Sequence, residues 1–232
     1  MTQVRKTATY RVVTDSGGDR IFRFYCDFSG ELCCVSKPIR ADTEEAALEI
    51  AWEQEGKWEF NLCPKCGKYV SSAMFNVNAG LCLDCAPWED EYPSFCHHCG
   101  ARLRESDTCF LPHLRGEAAG GRHRRKGESQ MTDYDLRTRK ALRRVVLLEY
   151  GCGPDTLRRR KICPSCGRAN SADRTDCTDC GARLPEMTLY DLYRSRHRCC
   201  PGCGVAVTNV ARYCPECGAR LPKGTARREA AV

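Results

Sequence analysis

Fourteen of the chain's 20 cysteines fall into seven Cys-x-x-Cys pairs: Cys63/Cys66, Cys82/Cys85, Cys96/Cys99, Cys163/Cys166, Cys177/Cys180, Cys200/Cys203 and Cys214/Cys217. A Cys-x-x-Cys turn aims two thiolates at one point, and two such turns facing each other make a tetrahedral zinc site. This pattern restricts the chain to small metal-closed modules. Segments of roughly 25–50 residues bury too little apolar surface to order themselves, and a metal makes up the difference. Aromatic residues at 8% and a mean hydropathy of −0.52 argue against one large apolar core.

Met1–Lys6 is not followed by an apolar run, and no stretch of about 18 apolar residues occurs. Neither a secretory signal nor a membrane span is therefore expected, and a cytoplasmic location follows. In a reducing compartment the thiols serve as metal ligands rather than disulfides.

Charge divides unevenly. Residues 1–113 carry 12 Lys and Arg against 17 Asp and Glu, whereas residues 114–232 carry 25 against 13, a net of +12. That basic half suggests a nucleic-acid partner. However, zinc on four thiolates carries a formal charge of about −2, so two such sites lower the C-terminal half to about +8. Part of the basicity offsets the metal sites.

The chain divides into segments. Residues 1–60 hold no Cys-x-x-Cys pair and are expected to form a β-hairpin or meander with one helix. Thr7–Thr14 and Arg20–Asp27 are its strands, Ser16–Asp19 is the turn, and a further turn at Ser29–Glu31 leads into Leu32–Ser36. Asp42 and Glu45 suit a capping box for a helix over Thr43–Glu55 that Gly56 stops. Residues 61–113 hold three pairs. Residues 114–130 have the composition of a flexible basic linker. Residues 131–161 are expected to be an amphipathic helix and connector, with Tyr134, Ala141, Leu142, Val145, Val146 and Leu148 on its apolar side. Residues 162–185 and 200–222 follow as cysteine modules around a short helix at 186–199, and 223–232 form a tail. The phrase Met131–Leu136 recurs as Met187–Leu192, so helix plus module is a repeated unit.

The metal sites rest on a repeat. Cys163–Pro185 and Cys200–Pro222 each hold two pairs ten residues apart and end in Cys-Gly-Ala-Arg-Leu-Pro. Glycine after the second cysteine suits the positive φ that turns backbone N–H groups toward the sulfurs. Four ligands with no open position describe closed structural sites. Before the linker, Cys82/Cys85 has two suitors. Cys63/Cys66 lies fifteen residues upstream, and Cys96/Cys99, followed by Gly-Ala-Arg-Leu, lies ten residues downstream. The Ala86-Pro87 that follows Cys85 fits the end of a module and favours the first pairing. Cys96/Cys99 then recruits ligands elsewhere, from Cys109 and His113 (C-x2-C-x9-C-x3-H) or from Cys26 and Cys33, which flank a turn and otherwise read as small buried residues. Three to four Zn2+ ions are expected.

Cys163–Pro185 and Cys200–Pro222 resemble the zinc-ribbon and double-zinc-ribbon families over nearly their full length. The first hundred residues resemble uncharacterised bacterial proteins with a small β-α domain before a zinc ribbon, through Cys26–Gly30, Cys63–Gly67 and Cys82–Glu89. The fold class implied is a small α+β N-terminal domain followed by multiple zinc-ribbon modules (metal-stabilised β-hairpins) with intervening helices, in a multi-module chain.

No phosphate loop, His-Glu-x-x-His or nucleophile signature is present, so no catalytic residue is expected. The expected function is a non-enzymatic zinc-binding scaffold or adaptor with a macromolecular partner, a protein being favoured over nucleic acid, a membrane or a small molecule. The alternative is DNA or RNA binding through Arg158, Arg159, Arg160, Lys161, Arg194, Arg196 and Arg198, which directly precede the two C-terminal modules. A redox-responsive zinc protein, using Cys34, Cys152 and Cys199, is a third.

Overall fold

A computed structural model describes residues 6–77, 79–88, 93–103 and 133–222, without the side chains of 133–137, 139 and 140. Cys109, His113, the linker at 114–130 and the tail at 223–232 lie outside the described residues.

The N-terminal domain is an antiparallel sheet in the order β1 (Thr9–Thr14), β2 (Arg20–Tyr25), β3 (Leu32–Val35). Alternation on β2 puts Phe22 and Phe24 on one face, where both are fully buried against Trp52, Ala47 and Ala51 of α1 (Glu44–Gln54). Thr43, rather than Asp42, caps α1, its hydroxyl accepting from the Ala46 N–H at 3.2 Å. The β2–β3 register shifts between Phe24 and Tyr25, so Phe24 opposes Cys34 while Tyr25 opposes Leu32.

A first cysteine module follows, built on the two-residue pairs β4 (Asn61–Leu62) with β5 (Tyr69–Val70) and β6 (Phe75–Asn76) with β7 (Leu81–Cys82). Further on, α2 spans Asp133–Glu149 and a second helix, α3 (Gly153–Arg158), fills what the sequence suggests is a connector. Proline at the start of α3 explains this, because its missing N–H falls where a helix makes no internal bond. The two C-terminal modules are the hairpins β8 (Arg160–Ile162) with β9 (Ala169–Ser171), and β10 (Arg198–Cys199) with β11 (Ala206–Val207). Between them lies α4 (Leu189–Ser195), started by a full capping box of Thr188 and Asp191.

Position relative to the cysteines pairs α4 with α3, not α2, as the repeated helix. Each ends five residues before its module's first cysteine. α2 also turns a different side inward from the one its periodicity suggests. Leu147 is buried, but Leu142 and Val145 are 62% and 56% exposed, and Val146 is exposed beside them.

One apolar cluster joins the halves. It contains Met74, Leu83 and Trp88 of the first module with Leu147, Leu157, Leu189 and Tyr193 of the helices. The Tyr193 hydroxyl accepts from the Trp88 N–H at 3.2 Å, and both His197 ring nitrogens lie 2.7 Å from carbonyl oxygens, of Tyr193 and Leu83. Among the described residues, no helix is long and apolar enough to cross a membrane.

Candidate metal centres

Three groups of four cysteines bring their Sγ atoms within 4.8 Å of one another: Cys63/Cys66/Cys82/Cys85, Cys163/Cys166/Cys177/Cys180 and Cys200/Cys203/Cys214/Cys217. Facing sulfurs stand 3.6 Å apart for Cys66–Cys82, Cys163–Cys180 and Cys166–Cys177, and 3.7 and 3.5 Å apart for Cys200–Cys217 and Cys203–Cys214. A tetrahedron with Zn–S bonds of ~2.3 Å requires S···S separations of about 3.8 Å. The donor sets therefore fit zinc, one ion per group. All four positions are thiolates, so each site is closed.

The first group resolves the competition for Cys82/Cys85 in favour of Cys63/Cys66. Ala86 is the physical reason. Its N–H and that of Cys85 both donate to the Cys82 carbonyl at 3.0 Å, a tight turn that ends the module instead of opening a new hairpin. Buried Asn76 holds that end, its side-chain amide donating to the Pro87 carbonyl at 3.0 Å.

A shared backbone device, the knuckle, presents the other ligands. The first cysteine's N–H donates to the carbonyl five residues on, and the glycine after the second cysteine donates back to the first cysteine's carbonyl. At Cys214 these bonds are 2.8 and 2.9 Å, to Ala219 and from Gly218, and the glycine φ is 73°. The same device recurs at Cys63, Cys163, Cys177 and Cys200.

Hydrogen bonds tune the sulfurs before metal enters. The Cys180 N–H, with Asp179 and Asn170 behind it, draws the Cys177 thiol down to about 6. Burial works to raise Cys63, but N–H groups of Cys82, Cys66 and Lys65 hold it at about 7. Cys200 likewise sits at about 7, where burial is outweighed by the Cys203 and Gly202 N–H groups. Burial and neighbouring thiolates push Cys85 and Cys166 up to about 12. One thiolate per site forms readily and the others resist, which is what a dication reverses.

Asn170, which spacing rules do not flag, supports the second group. It is buried, its amide lies 3.5 Å from Cys177 Sγ, and its carbonyl oxygen accepts from the Thr178 N–H at 2.9 Å.

Cys26 and Cys33 belong to no such group, and the structure gives them other work. The Ser71 N–H donates to Cys26 Sγ at 3.4 Å, and the Cys33 thiol donates to the Glu31 carbonyl at 3.4 Å. Burial raises Cys33 well above the ordinary thiol range, so the thiol stays protonated. Yet Cys26 begins a full knuckle. Its N–H donates to Glu31 at 2.8 Å, Gly30 donates back at 2.9 Å, and Gly30 has φ 71°. Ser29 stands where the second cysteine would be.

This thiol-poor knuckle packs on the Cys163 knuckle. The Leu32 N–H donates to the Gly167 carbonyl at 2.9 Å, and a Cβ on Gly167 would lie 2.7 Å from the Tyr25 ring. Arg11 sits over that ring at 5.2 Å and reaches the Ser165 carbonyl at 3.4 Å.

The Cys96 knuckle packs on the Cys214 knuckle about a local two-fold. Ser94 and Phe95 donate to the Pro215 carbonyl at 2.7 and 3.0 Å, while Arg212 and Tyr213 donate to the His97 carbonyl at 2.8 and 3.0 Å. Phe95 lies on Gly218 and Tyr213 on Gly100.

The basic residues before the modules are mostly engaged within the chain. Arg158 pairs with Asp155 at 2.7 Å and stacks on Tyr190, Arg160 meets Glu31 at 3.3 Å, and Lys161 reaches the Arg174 carbonyl at 3.3 Å. Arg196 bridges Asp84 and the Phe28 ring, Arg198 donates to the Pro222 carbonyl at 3.0 Å, and Arg194 bonds Cys199. Only Arg159, of these seven, extends an exposed side chain into solvent.

No curated protein and no solved structure matches the chain. Residues 163–222, which hold the second and third cysteine groups, match the model of the double zinc ribbon family, and this stretch of the chain is a double zinc ribbon.

Proposed function

We propose that the protein is a non-enzymatic scaffold in which zinc ribbons present rigid surfaces to a partner protein. The supporting observation is that its knuckles already act as docking surfaces. The Cys163 and Cys214 knuckles each carry another knuckle from the N-terminal half. Closed four-thiolate sites leave no position for a substrate or reactive water. The exposed Leu142, Val145 and Val146 on α2 form a further apolar stripe, at the i, i+3, i+4 spacing by which a helix meets a partner. Engagement of six of the seven basic side chains within the chain weighs against a phosphate-binding role.

The test is affinity capture by the zinc-loaded full chain, with and without nuclease, beside a Leu142→Asp/Val145→Asp variant. Proteins retained after nuclease and lost with the variant support a scaffold. Retention of DNA or RNA that falls with rising salt and survives the variant would replace it with nucleic-acid binding.

A further inference from the structure

We infer that Cys96 and Cys99 hold a fourth zinc ion, beyond the three four-cysteine groups. The Cys96 N–H donates to Ala101 at 2.8 Å and Gly100 donates back to Cys96 at 2.8 Å, with φ 73° at Gly100. These are the bonds and the glycine conformation of the Cys214 knuckle. Accessibility matches too. In every ligand knuckle the first cysteine is buried and the second is more open, and Cys96 is buried while Cys99 is exposed.

The local two-fold with the Cys214 knuckle adds an independent constraint. Each knuckle gives a carbonyl to two N–H groups of the other, and each receives an aromatic ring on its glycine. Two turns related in this way share one shape, and one of them belongs to a complete four-thiolate group. The Cys26 knuckle shows that the backbone shape alone does not make a site, because Ser29 leaves it with one thiol. Cys96 and Cys99 supply the convergent pair it lacks.

Zinc requires two more donors, and among the described residues no third ligand joins this pair. The shared chemistry is thiolate or imidazole. Its sources are Cys109 and His113 of the same chain, or the same cysteine pair of a second copy.

Native mass spectrometry of the full zinc-loaded chain tests this. Four ions per chain within the monomer, falling to three in Cys96→Ser/Cys99→Ser, are expected if the chain completes its own site. Cys109→Ser/His113→Ala should then also bind three. If two copies share the site, the mass is that of a dimer with seven ions, and the Cys96→Ser/Cys99→Ser variant is a monomer with three. Cobalt substitution adds a readout that does not depend on the variants: intensities of the d–d bands report tetrahedral cobalt in excess of three equivalents. A wild-type chain that saturates at three ions, in both titrations, overturns the inference.

Discussion

The Tyr213 ring lies so close to Gly100 that a Cβ there would stand 2.6 Å from it, and Phe95 and Gly218 repeat the arrangement at 2.9 Å. Both glycines also have φ 73°, where a side chain is strained. Gly181 has a similar φ of 70° but nothing within 4 Å. Gly181→Ala is therefore expected to cost about 1 kcal/mol from backbone strain alone. Gly100→Ala and Gly218→Ala add about 1–3 kcal/mol of overpacking. Chemical denaturation of the three variants, with hydrogen exchange at Ser94 and Phe95, checks the difference.

Metal at one site should be felt by the N-terminal sheet. The Leu32 N–H is bonded to Gly167, next to the ligand Cys166. Cys180→Ser, on the far knuckle of that group, is expected to lose its zinc and to speed exchange at Leu32 by tenfold or more. Cys217→Ser should leave Leu32 protected and expose Ser94 and Phe95 instead. Equal protection of Leu32 in both variants would show that the sheet docks without the metal.

Acid should empty the sites. The fold favours ionised Cys177, Cys63 and Cys200, with values of about 6, 7 and 7 against an ordinary 9.0. Their contribution is complete above that ordinary value and is lost as pH falls through 7 to 6. Zinc content after gel filtration, from pH 8 to 5, is expected to fall in this range, with the Cys177 group holding its ion to the lowest pH. Uptake of zinc at neutral pH should release protons, chiefly from Cys85 and Cys166, and calorimetry in buffers of different ionisation enthalpy measures them.

Asn170→Ala removes the amide beside Cys177 and leaves the buried Thr178 N–H without its acceptor. A 10–100-fold weaker hold on that one ion is expected. Competition with a chromophoric chelator would show a single fast-released ion, the other sites keeping their rates.

Much of the ligand set can be read from spacing, because a thiolate pair needs its two residues at a fixed separation whatever surrounds them. Docking between knuckles is harder to read. Phe95 and Tyr213 look like ordinary hairpin residues until the glycine that each covers is known, and the partners are far apart in sequence. The Cys26 knuckle is hidden for a different reason: Ser29 breaks the pattern while Gly30 and the backbone preserve the turn. Arg160 and Arg196 read as a basic footprint because their acidic partners, Glu31 and Asp84, lie more than a hundred residues away. α3 was obscured by its own Gly153-Pro154 start, a dipeptide that signals a loop as readily as a helix entry.

The bond from Leu32 to Gly167 also sets an order of events on the ribosome. The Cys26 knuckle emerges early and has no seat until the Cys163 knuckle has been made, and Phe95 waits longer still for Gly218. Two faces of the nascent chain, including the Tyr25 and Phe95 rings, stay open through most of translation and close only when the last ribbon leaves the exit tunnel with its zinc.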